Sequence, residues 1–442
     1  MKVKVVRRKL IKPCTSTPPN LNKYKLSYMD ERIPPINVGV ILFYPTKQKI
    51  RHQLEESLAK ILPEFYLLAG RHITNDHVVD CSDQGAEFVK AEAVDVDLTD
   101  LLKIKEAELL NDFLPTKFYQ VDKSPTDPLL SIQITELMSC GALVISVSVC
   151  HKIFDASSLG TFVMAWSNST NDNNNNHPIA ICPSFESPLL FPGTNLSPVR
   201  TSYDPSIVFK RFSFGKDAIA SLRKKLSRLG PPTRISRVRL VCAVMAKALF
   251  GVDRAKHDGG ESRSCLVSQA VNMRGRTIQP LQNHSCGNLV VFSLTPFFNI
   301  IPPAETTNGD DVVIGIEQLV GILGDSLERT IADCAKPFSP GWHTVMMGPV
   351  ADMFAKLRSG EINYSITFSD WSKFGFYEAD FGWGKPVGAG IGIMPRENSV
   401  ILMDNKEGDG IEAWVKLNRD DMPLFEQDDD INSRLRLTDS SC

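Results

Sequence analysis

The stretch that decides the fold is GALVISVSVCHKIFDASSLGTFVMAW, residues 141–166. Its first part is a valine-rich run that ends at His151, and short apolar runs of this kind are typical of buried strands. Its last part carries apolar residues at the spacing of one helical face, namely Leu159, Phe162, Val163 and Trp166. The stretch therefore predicts a strand, a break at the histidine, and a helix packed on the core.

The spacing around His151 allows both a structural and a catalytic interpretation. Side chains alternate along a strand, so Cys150 and His151 are expected to point to opposite faces. This disfavours a Cys–His hydrolase, because nucleophile and base must meet at hydrogen-bond distance. Asp155 falls at the N-cap of the predicted helix. His-x-x-x-Asp alone is more often structural, but a histidine at the end of a core strand emerges where general bases are built.

Length and composition indicate a globular protein with two domains. A chain of 442 residues is too long for one core, which predicts two domains of roughly 200 residues each. The 49 basic and 51 acidic residues leave no net field that would favour nucleic acid or an anionic membrane as partner. Neither a signal peptide nor a membrane helix is apparent. We therefore expect a soluble cytoplasmic protein.

The 10 cysteines are scattered, without C-x-x-C spacing and without a neighbouring histidine cluster. This pattern disfavours both a metal site and a disulfide framework.

Strand and helix patterns alternate along the chain without a regular βαβ series, which predicts two α/β sandwich domains with mixed sheets. We expect an N-terminal domain over 1–177, a Pro-, Ser- and Asn-rich crossover over 178–207, and a C-terminal domain over 208–442. The asparagine run at 171–176 is expected to be a surface loop. The predicted strands are 38–44, 78–91 with a turn, 129–137, 142–150, 207–214, 266–271, 289–294, 366–368, 400–403 and 411–417, and the predicted helices are 51–69, 216–229, 236–250 and 312–332.

Two motifs together resemble the plant BAHD acyltransferases, in particular the vinorine-synthase-like clade. They are HKIFD, His151–Asp155, and DFGWG, Asp380–Gly384. Other blocks similar to the family cover nearly the whole chain: KLSYMD (25–30), FYLLAGR (65–71), VDCSDQGAEFVKA (79–91), QAVNMRGR (269–276), GNLVVF (287–292) and MDNKEGDGIEAW (403–414). Members of this family transfer an acyl group from coenzyme A to an alcohol or an amine.

The resemblance implies a chloramphenicol-acetyltransferase-like fold. Two similar mixed-sheet α/β sandwich domains are joined by a long crossover, with the active-site channel between them and DFGWG on the C-terminal domain. It also implies a monomer that binds acyl-CoA, here acetyl-CoA, as co-substrate, with no permanently bound cofactor and no metal.

The resemblance implies a role for each motif residue. His151 is the general base, a task that suits an imidazole near neutral pH. Asp155 holds the His151 loop by pairing with Arg274. Asp380 belongs to the family's candidate catalytic residues, although we expect a scaffold role for it. The rest of its motif is expected to be structural, with glycines at a tight turn and a large packing surface: Gly382, Trp383 and Gly384.

Three further positions are candidates for binding steps. Ser369 stands where related enzymes carry a hydroxyl residue implicated in oxyanion binding, and the alternative is an ordinary strand-end serine. Ser236 and Arg237 begin a predicted helix, a place that suits a CoA phosphate, and the alternative is an ordinary capped helix. GAGIG at 388–392 lacks the following helix that a dinucleotide site requires, so that interpretation is rejected.

The sequence thus predicts an acyl-CoA-dependent O-acyltransferase that acetylates a hydroxyl of a plant specialised metabolite such as an alkaloid. N-acylation of an amine and a non-catalytic binding paralogue remain the alternatives.

Overall fold

The computed structural model of the chain describes residues 1–45, 51–115, 126–170, 181–197, 204–226, 235–257, 263–278, 281–300, 314–336, 342–392 and 397–432. The predicted loop at 171–176 and part of the predicted crossover at 178–207 lie outside these residues.

The first half of the chain begins with a long strand and then alternates strands and helices. Its strands are β1 (Lys2–Ile11), β2 (Lys23–Lys25), β3 (Asn37–Tyr44), β4 (Arg71–Ile73), β5 (Val78–Asp80), β6 (Ala86–Val94), β7 (Leu130–Leu137) and β8 (Leu143–Cys150). Its helices are α1 (Tyr28–Glu31), α2 (Arg51–Ile61), α3 (Leu98–Lys103), α4 (Ala156–Thr170) and α5 (Ser187–Leu190). Helix α2 ends earlier than predicted because Pro63 disfavours helical backbone at the residue before it.

The second half carries the longer helices. Its strands are β9 (Ile207–Phe214), β10 (Arg263–Asn272), β11 (Val290–Leu294), β12 (Phe298–Ile300), β13 (Tyr364–Asp370), β14 (Gly388–Ile391), β15 (Ser399–Asp404) and β16 (Ile411–Asn418). Its helices are α6 (Lys216–Leu226), α7 (Arg237–Lys256), α8 (Ile316–Cys334), α9 (Trp342–Ser359) and α10 (Met422–Gln427). None of the helices in the described part of the chain is long and apolar enough to cross a membrane.

The chain divides into two compact units, and neither is one continuous segment. The first unit comprises Met1–Asp204, Gln282–Leu289 and Phe374–Pro395, and the second comprises Pro205–Leu281, Val290–Lys373 and Arg396–Cys442. The sequence had assigned DFGWG to the C-terminal domain, and the structure corrects this. The motif belongs to the first unit because β14, which follows it, pairs antiparallel with β3.

A six-stranded mixed sheet is the framework of the first unit. Its strand order is β1-β6-β7-β8-β3-β14, with β6 and β7 parallel and the other neighbours antiparallel. All eight residues of β8 are buried, as the valine-rich run predicts. GAGIG forms the edge strand β14 and the residue after it, which confirms that it is no phosphate-binding turn.

Helix α4 is held in the first unit by the face that its sequence pattern predicted. Leu159, Phe162, Val163 and Trp166 are all 0% exposed. The ring of Phe162 meets that of Phe65 edge-on at 5.3 Å. The indole Nε1–H of Trp166 donates to Ser57 Oγ at 3.1 Å. Burial of this face fixes the direction in which the helix leaves the His151 turn.

Gly160 of α4 lies against the segment that leads into DFGWG. A Cβ at this position would lie 2.5 Å from the carbonyl oxygen of Phe374. We expect Gly160→Ala to lower the free energy of unfolding by about 1–3 kcal/mol, because backbone would have to move. Gly251 in α7 is the control, since a Cβ there meets nothing within 4 Å. Gly251→Ala should instead stabilise by about 0.5–1 kcal/mol, and equal denaturation midpoints for the two variants would contradict this packing argument.

The second unit is built on its own mixed sheet. The strand order is β11-β10-β13-β15-β16-β9, and β12 pairs with β10. Strand β13 is parallel to both β10 and β15, whereas the remaining pairs are antiparallel. Helix α7 contributes most of one side of the core, where Leu240–Ala246 are at most 1% exposed. Two mixed-sheet α/β domains are therefore present, as predicted.

Candidate active site

His151 lies directly after the last residue of β8 and begins the turn into α4. Its backbone N–H donates to the carbonyl oxygen of Ile36 at 2.8 Å, which continues the pairing with the β3 side for one more residue. The side chain is partly exposed, whereas every residue of β8 is buried. The sequence prediction that this histidine emerges from a core strand is confirmed.

Asn288 holds the imidazole of His151. Its Oδ1 lies 3.1 Å from His151 Nδ1. Its Nδ2 donates to the carbonyl oxygens of His151 at 2.9 Å and Lys152 at 3.3 Å, and to Asp30 Oδ1 at 2.8 Å. Asn288 is 3% exposed, so these bonds are shielded from water.

These contacts decide which ring nitrogen of His151 carries the proton. The amide of Asn288 cannot be reversed, because its oxygen would then face two carbonyl oxygens and the carboxylate of Asp30. Oδ1 therefore faces Nδ1 and must accept a hydrogen from it. The neutral ring is thus protonated on Nδ1, which leaves the lone pair on Nε2 as the basic site.

The surroundings of His151 keep its imidazole neutral. Burial lowers the pKa of His151 from its ordinary value, because charging the ring would require removing an imidazolium from water. Hydrogen bonds at the ring and the negative charge of Asp155 oppose this without cancelling it. The ring is therefore available as a base at and below neutral pH.

Asp155 occupies the N-cap of α4, where the sequence placed it. Its Oδ1 accepts hydrogen bonds from the backbone N–H and the hydroxyl of Ser158, both at 2.8 Å. Its Oδ2 accepts from the backbone N–H of Leu289 at 3.1 Å. The side chain is 3% exposed. Asp155 thus ties the start of α4 to the segment 282–289 that carries Asn288.

A second buried carboxylate stands behind Asn288. Asp30 is 0% exposed and accepts at Oδ1 from the backbone N–H of Asn288 at 3.1 Å as well as from its side chain. Its Oδ2 accepts from the hydroxyl of Ser27 at 2.7 Å and from its backbone N–H at 3.0 Å, which closes a capping box on α1. Burial raises the pKa of Asp30, and these bonds oppose that rise.

Lys152 is buried in the turn that begins at His151, and its ammonium is bound by backbone carbonyl oxygens. Its Nζ donates to the carbonyl oxygens of Glu31 and Ile33, each at 2.9 Å. Burial lowers the pKa of Lys152, and the charge of Asp30 opposes that lowering. The ammonium therefore anchors the turn to the end of α1.

The DFGWG motif forms a self-contained turn. Asp380 Oδ1 accepts from the backbone N–H groups of Gly382, Trp383 and Gly384 at 2.8, 3.1 and 2.9 Å. The two glycines have φ of +99° and +103°, a backbone region that a side chain disfavours, as the sequence predicted. Trp383 packs edge-on against Tyr44, with ring centroids 6.0 Å apart.

This turn lies at the far end of β3 and β8 from His151. Tyr44 donates its hydroxyl to the carbonyl oxygen of Ala379, next to Asp380, and stands opposite Leu143 at the start of β8. Seven strand residues then separate it from the Cys150 end, on the order of 20 Å. This position agrees with the expected scaffold role of Asp380, which stays a prediction.

Four predicted site residues lie in the second unit, and Arg274 and Ser369 are the first two of them. Arg274 is 7% exposed and donates from Nη1 to Asn272 Oδ1 at 2.9 Å. Ser369 lies in β13, and its Oγ accepts from the indole Nε1–H of Trp371 at 3.0 Å. The pairing of Arg274 with Asp155 and the oxyanion role of Ser369 stay predictions.

Ser236 and Arg237 make contacts within the second unit that suit the structural alternative. Ser236 caps α7 by accepting from the backbone N–H of Arg239 at 3.1 Å. The guanidinium of Arg237 donates to Asp404 Oδ1 at 3.1 Å and to carbonyl oxygens of the β15–β16 hairpin. CoA binding by this pair stays a prediction.

Sequence reasoning missed the residues that orient His151. Asn288 and Asp30 lie in blocks that resemble the family, but neither was given a role. For Asp30 a local signal existed, because Ser27-x-x-Asp30 is the pattern of a capping box. For Asn288 no local signal exists, since its partners come from residues far away in the sequence.

Comparison with known proteins agrees with this geometry. The family model described as "Transferase family" matches residues 1–431. Pelargonidin 3-O-(6-caffeoylglucoside) 5-O-(6-O-malonylglucoside) 4'''-malonyltransferase of Salvia splendens is 41% identical and covers 98% of this chain and 99% of its own. Vinorine synthase of Rauvolfia serpentina is 33% identical over 95% of each chain.

A crystal structure of vinorine synthase matches the fold with a TM-score of 0.83 at 30% identity, covering 98% of both chains. The two mixed-sheet units, the placement of His151 and the family match lead to one conclusion. The chain belongs to the Transferase family of BAHD enzymes and is an acyltransferase.

Proposed function

We propose that the chain transfers an acetyl group from acetyl-CoA to a hydroxyl of a plant specialised metabolite, with His151 as the general base. The observation that carries this proposal is the 3.1 Å bond between His151 Nδ1 and Asn288 Oδ1. It fixes the tautomer in which Nε2 is free of a proton. A ring held in this state is prepared to receive the proton of an acceptor hydroxyl.

The reaction follows from that arrangement. His151 Nε2 takes the hydroxyl proton while the acceptor oxygen attacks the thioester carbonyl carbon. The carbonyl π pair moves to oxygen and gives a tetrahedral oxyanion. When the carbonyl re-forms, the C–S bond breaks, and the imidazolium supplies the proton that the leaving CoA thiolate can take up. No covalent acyl-enzyme forms, because the acceptor attacks the donor directly.

Three side chains are proposed to support this step. The contacts of Asp155 favour a tethering role, since both carboxylate oxygens bind backbone groups or Ser158. We propose that Arg274 balances its buried charge. Ser369 is the proposed oxyanion donor, because its Oγ accepts from Trp371 and its own hydrogen is left to donate.

We also propose that Ser236 and Arg237 contribute to CoA binding at the N-terminus of α7. A helix N-terminus attracts phosphate. However, the guanidinium of Arg237 is already paired with Asp404, so a phosphate would compete with a carboxylate for it.

Malonyl-CoA is the second candidate donor. The observation that favours it is the 41% identity to the Salvia splendens malonyltransferase over 98% of this chain. A malonyl group carries a free carboxylate that needs a cation. Lys152, which follows His151, donates to the carbonyl oxygens of Glu31 and Ile33, so this cation is already engaged by backbone.

The test is a mass-spectrometric assay of the purified chain. Acetyl-CoA, malonyl-CoA and longer acyl-CoAs are each combined with alkaloid, terpenoid and phenolic alcohols, glycosylated phenolics, and amines. We expect acetyl esters that depend on both substrates and are lost in His151→Ala.

Other outcomes separate the alternatives. Formation of malonyl esters would show that malonyl-CoA, and not acetyl-CoA, is the donor. Formation of amides from amines alone would show that the chain is an N-acyltransferase. CoA binding without any transfer across the panel would indicate a non-catalytic paralogue.

A further inference from the structure

We infer that Asp30 is a positioning residue for the reaction, whose carboxylate acts on the imidazole of His151 through the side-chain amide of Asn288. Three side chains thus form one buried chain of hydrogen bonds, from carboxylate to amide to imidazole. The inference rests on the proposed role of His151 as base.

The geometry gives the amide two partners of opposite kind. Asp30 Oδ1 accepts from Asn288 Nδ2 at 2.8 Å and from its backbone N–H at 3.1 Å. On the other side, Asn288 Oδ1 lies 3.1 Å from His151 Nδ1. The amide therefore donates toward the anion and accepts from the ring, which is the orientation that passes polarisation from one end to the other.

The charge of Asp30 makes this chain more than a structural contact. The carboxylate accepts four hydrogen bonds in the described part of the chain, two from groups of Ser27 and two from groups of Asn288. These donors favour the charged form of the carboxylate, whereas burial favours the neutral form and raises the pKa of Asp30. At 0% exposure its field on Asn288 is weakly screened.

The field has two effects on His151. It prevents rotation of the Asn288 amide, because a reversed amide would place oxygen against a carboxylate. It also increases negative charge on Oδ1, which strengthens acceptance from Nδ1–H and makes Nε2 more basic. Asp155 and Lys152 are the other charged groups whose fields act on His151 or Asp30.

The experiment is nitrogen NMR of the full chain with ¹⁵N-labelled histidine. The two ring nitrogens have distinct shifts in each tautomer, and the His151→Gln variant identifies the His151 signals. We expect wild-type His151 to carry its neutral proton on Nδ1. A wild-type ring protonated on Nε2 would overturn the inference without any variant.

Asp30→Asn removes the charge with little change in volume. Its new amide nitrogen can donate to the rotatable Ser27 hydroxyl, but it also faces the backbone N–H of Ser27, which loses its acceptor. We expect the pKa of His151 to fall by about 0.5 or more and the Nε2–H tautomer to become populated. We also expect kcat to fall at least about tenfold, with KM for the acyl donor nearly unchanged.

Asp83→Asn is the matched control. Asp83 is another carboxylate of the first unit that accepts from one residue, Thr17, at 2.8 and 2.7 Å. The Asp83→Asn substitution should leave the tautomer and the pKa of His151 unchanged. If Asp30→Asn does not fold, Ser27→Ala replaces it: the carboxylate loses a donor that favours its charged form, so the pKa of Asp30 should rise and that of His151 should fall.

An unchanged His151 titration in the folded Asp30 or Ser27 variant would overturn the inference, since a purely structural role predicts that result. The NMR result does not depend on knowing the acceptor. Transfer that persists in His151→Ala would instead contradict the proposed function while leaving the hydrogen-bond chain intact.

Discussion

Replacing His151 by alanine is expected to lower kcat by about 10²–10⁴-fold, the contribution of a positioned general base. The protein should remain folded, because the backbone N–H of His151 still donates to Ile36 and the change removes only the bond between the ring and Asn288 Oδ1. Circular dichroism and thermal unfolding check the fold, and the coupled release of CoA thiol checks the rate.

The pH dependence of the wild type gives the same prediction a second measurement. A general base must be neutral, so kcat/KM should be at its plateau above the pKa of His151 and fall as pH drops through it. Burial lowers that pKa below its ordinary value of about 6.5. The acidic limb should therefore lie below pH 6.5, and it should be absent from any residual activity of His151→Ala.

His257→Ala is the control for this substitution. That histidine lies just after α7, with 42% of its side chain exposed, and its Nδ1 is 2.8 Å from the carbonyl oxygen of Asp253. It should retain wild-type turnover. Retained turnover in His151→Ala as well would show that another group removes the acceptor proton.

Replacing Asp155 by alanine is expected to lower the free energy of unfolding by about 3 kcal/mol and to reduce activity with it. The change leaves the buried N–H groups of Ser158 and Leu289 without their acceptor, and each loss costs about 1–3 kcal/mol. It also loosens α4 from the segment that carries Asn288, so the ring of His151 loses its fixed orientation. The free energy of unfolding, measured by urea denaturation, and kcat should both fall.

Ser236→Ala separates the loss of a helix cap from the loss of the tether. Ser236 caps α7 by one backbone bond at an exposed position. Its removal should cost about 1 kcal/mol. Asp155→Ala with no greater loss of stability than this control would mean that Asp155 is an ordinary cap. Loss of activity with unchanged unfolding would contradict the tethering role.

The local elements and the position of His151 at the end of a buried strand could be predicted because each rests on a short pattern. The helical face of α4 follows from the spacing of Leu159, Phe162, Val163 and Trp166, and all four are fully buried. The break at His151 follows from the end of an apolar run. The resemblance supplied what the pattern could not, namely a chemical role for that position.

The missing parts depend on contacts between distant residues. An asparagine has no preferred role until its neighbours are known, and those of Asn288 are Asp30 and His151. The assignment of DFGWG to the C-terminal domain failed for the same reason, because nothing in the sequence of either strand indicates that β14 pairs with β3.

The discontinuity of the first unit has a consequence for synthesis of the protein. A ribosome completes residues 1–204 before it makes the segment with Asn288 and the edge strand β14. At about 5–20 residues per second, β14 emerges on the order of ten seconds later. Until then β3 is the exposed edge of the nascent sheet, and edge strands pair readily with other chains. A chimera that exchanges this unit between relatives must therefore carry all three of its segments.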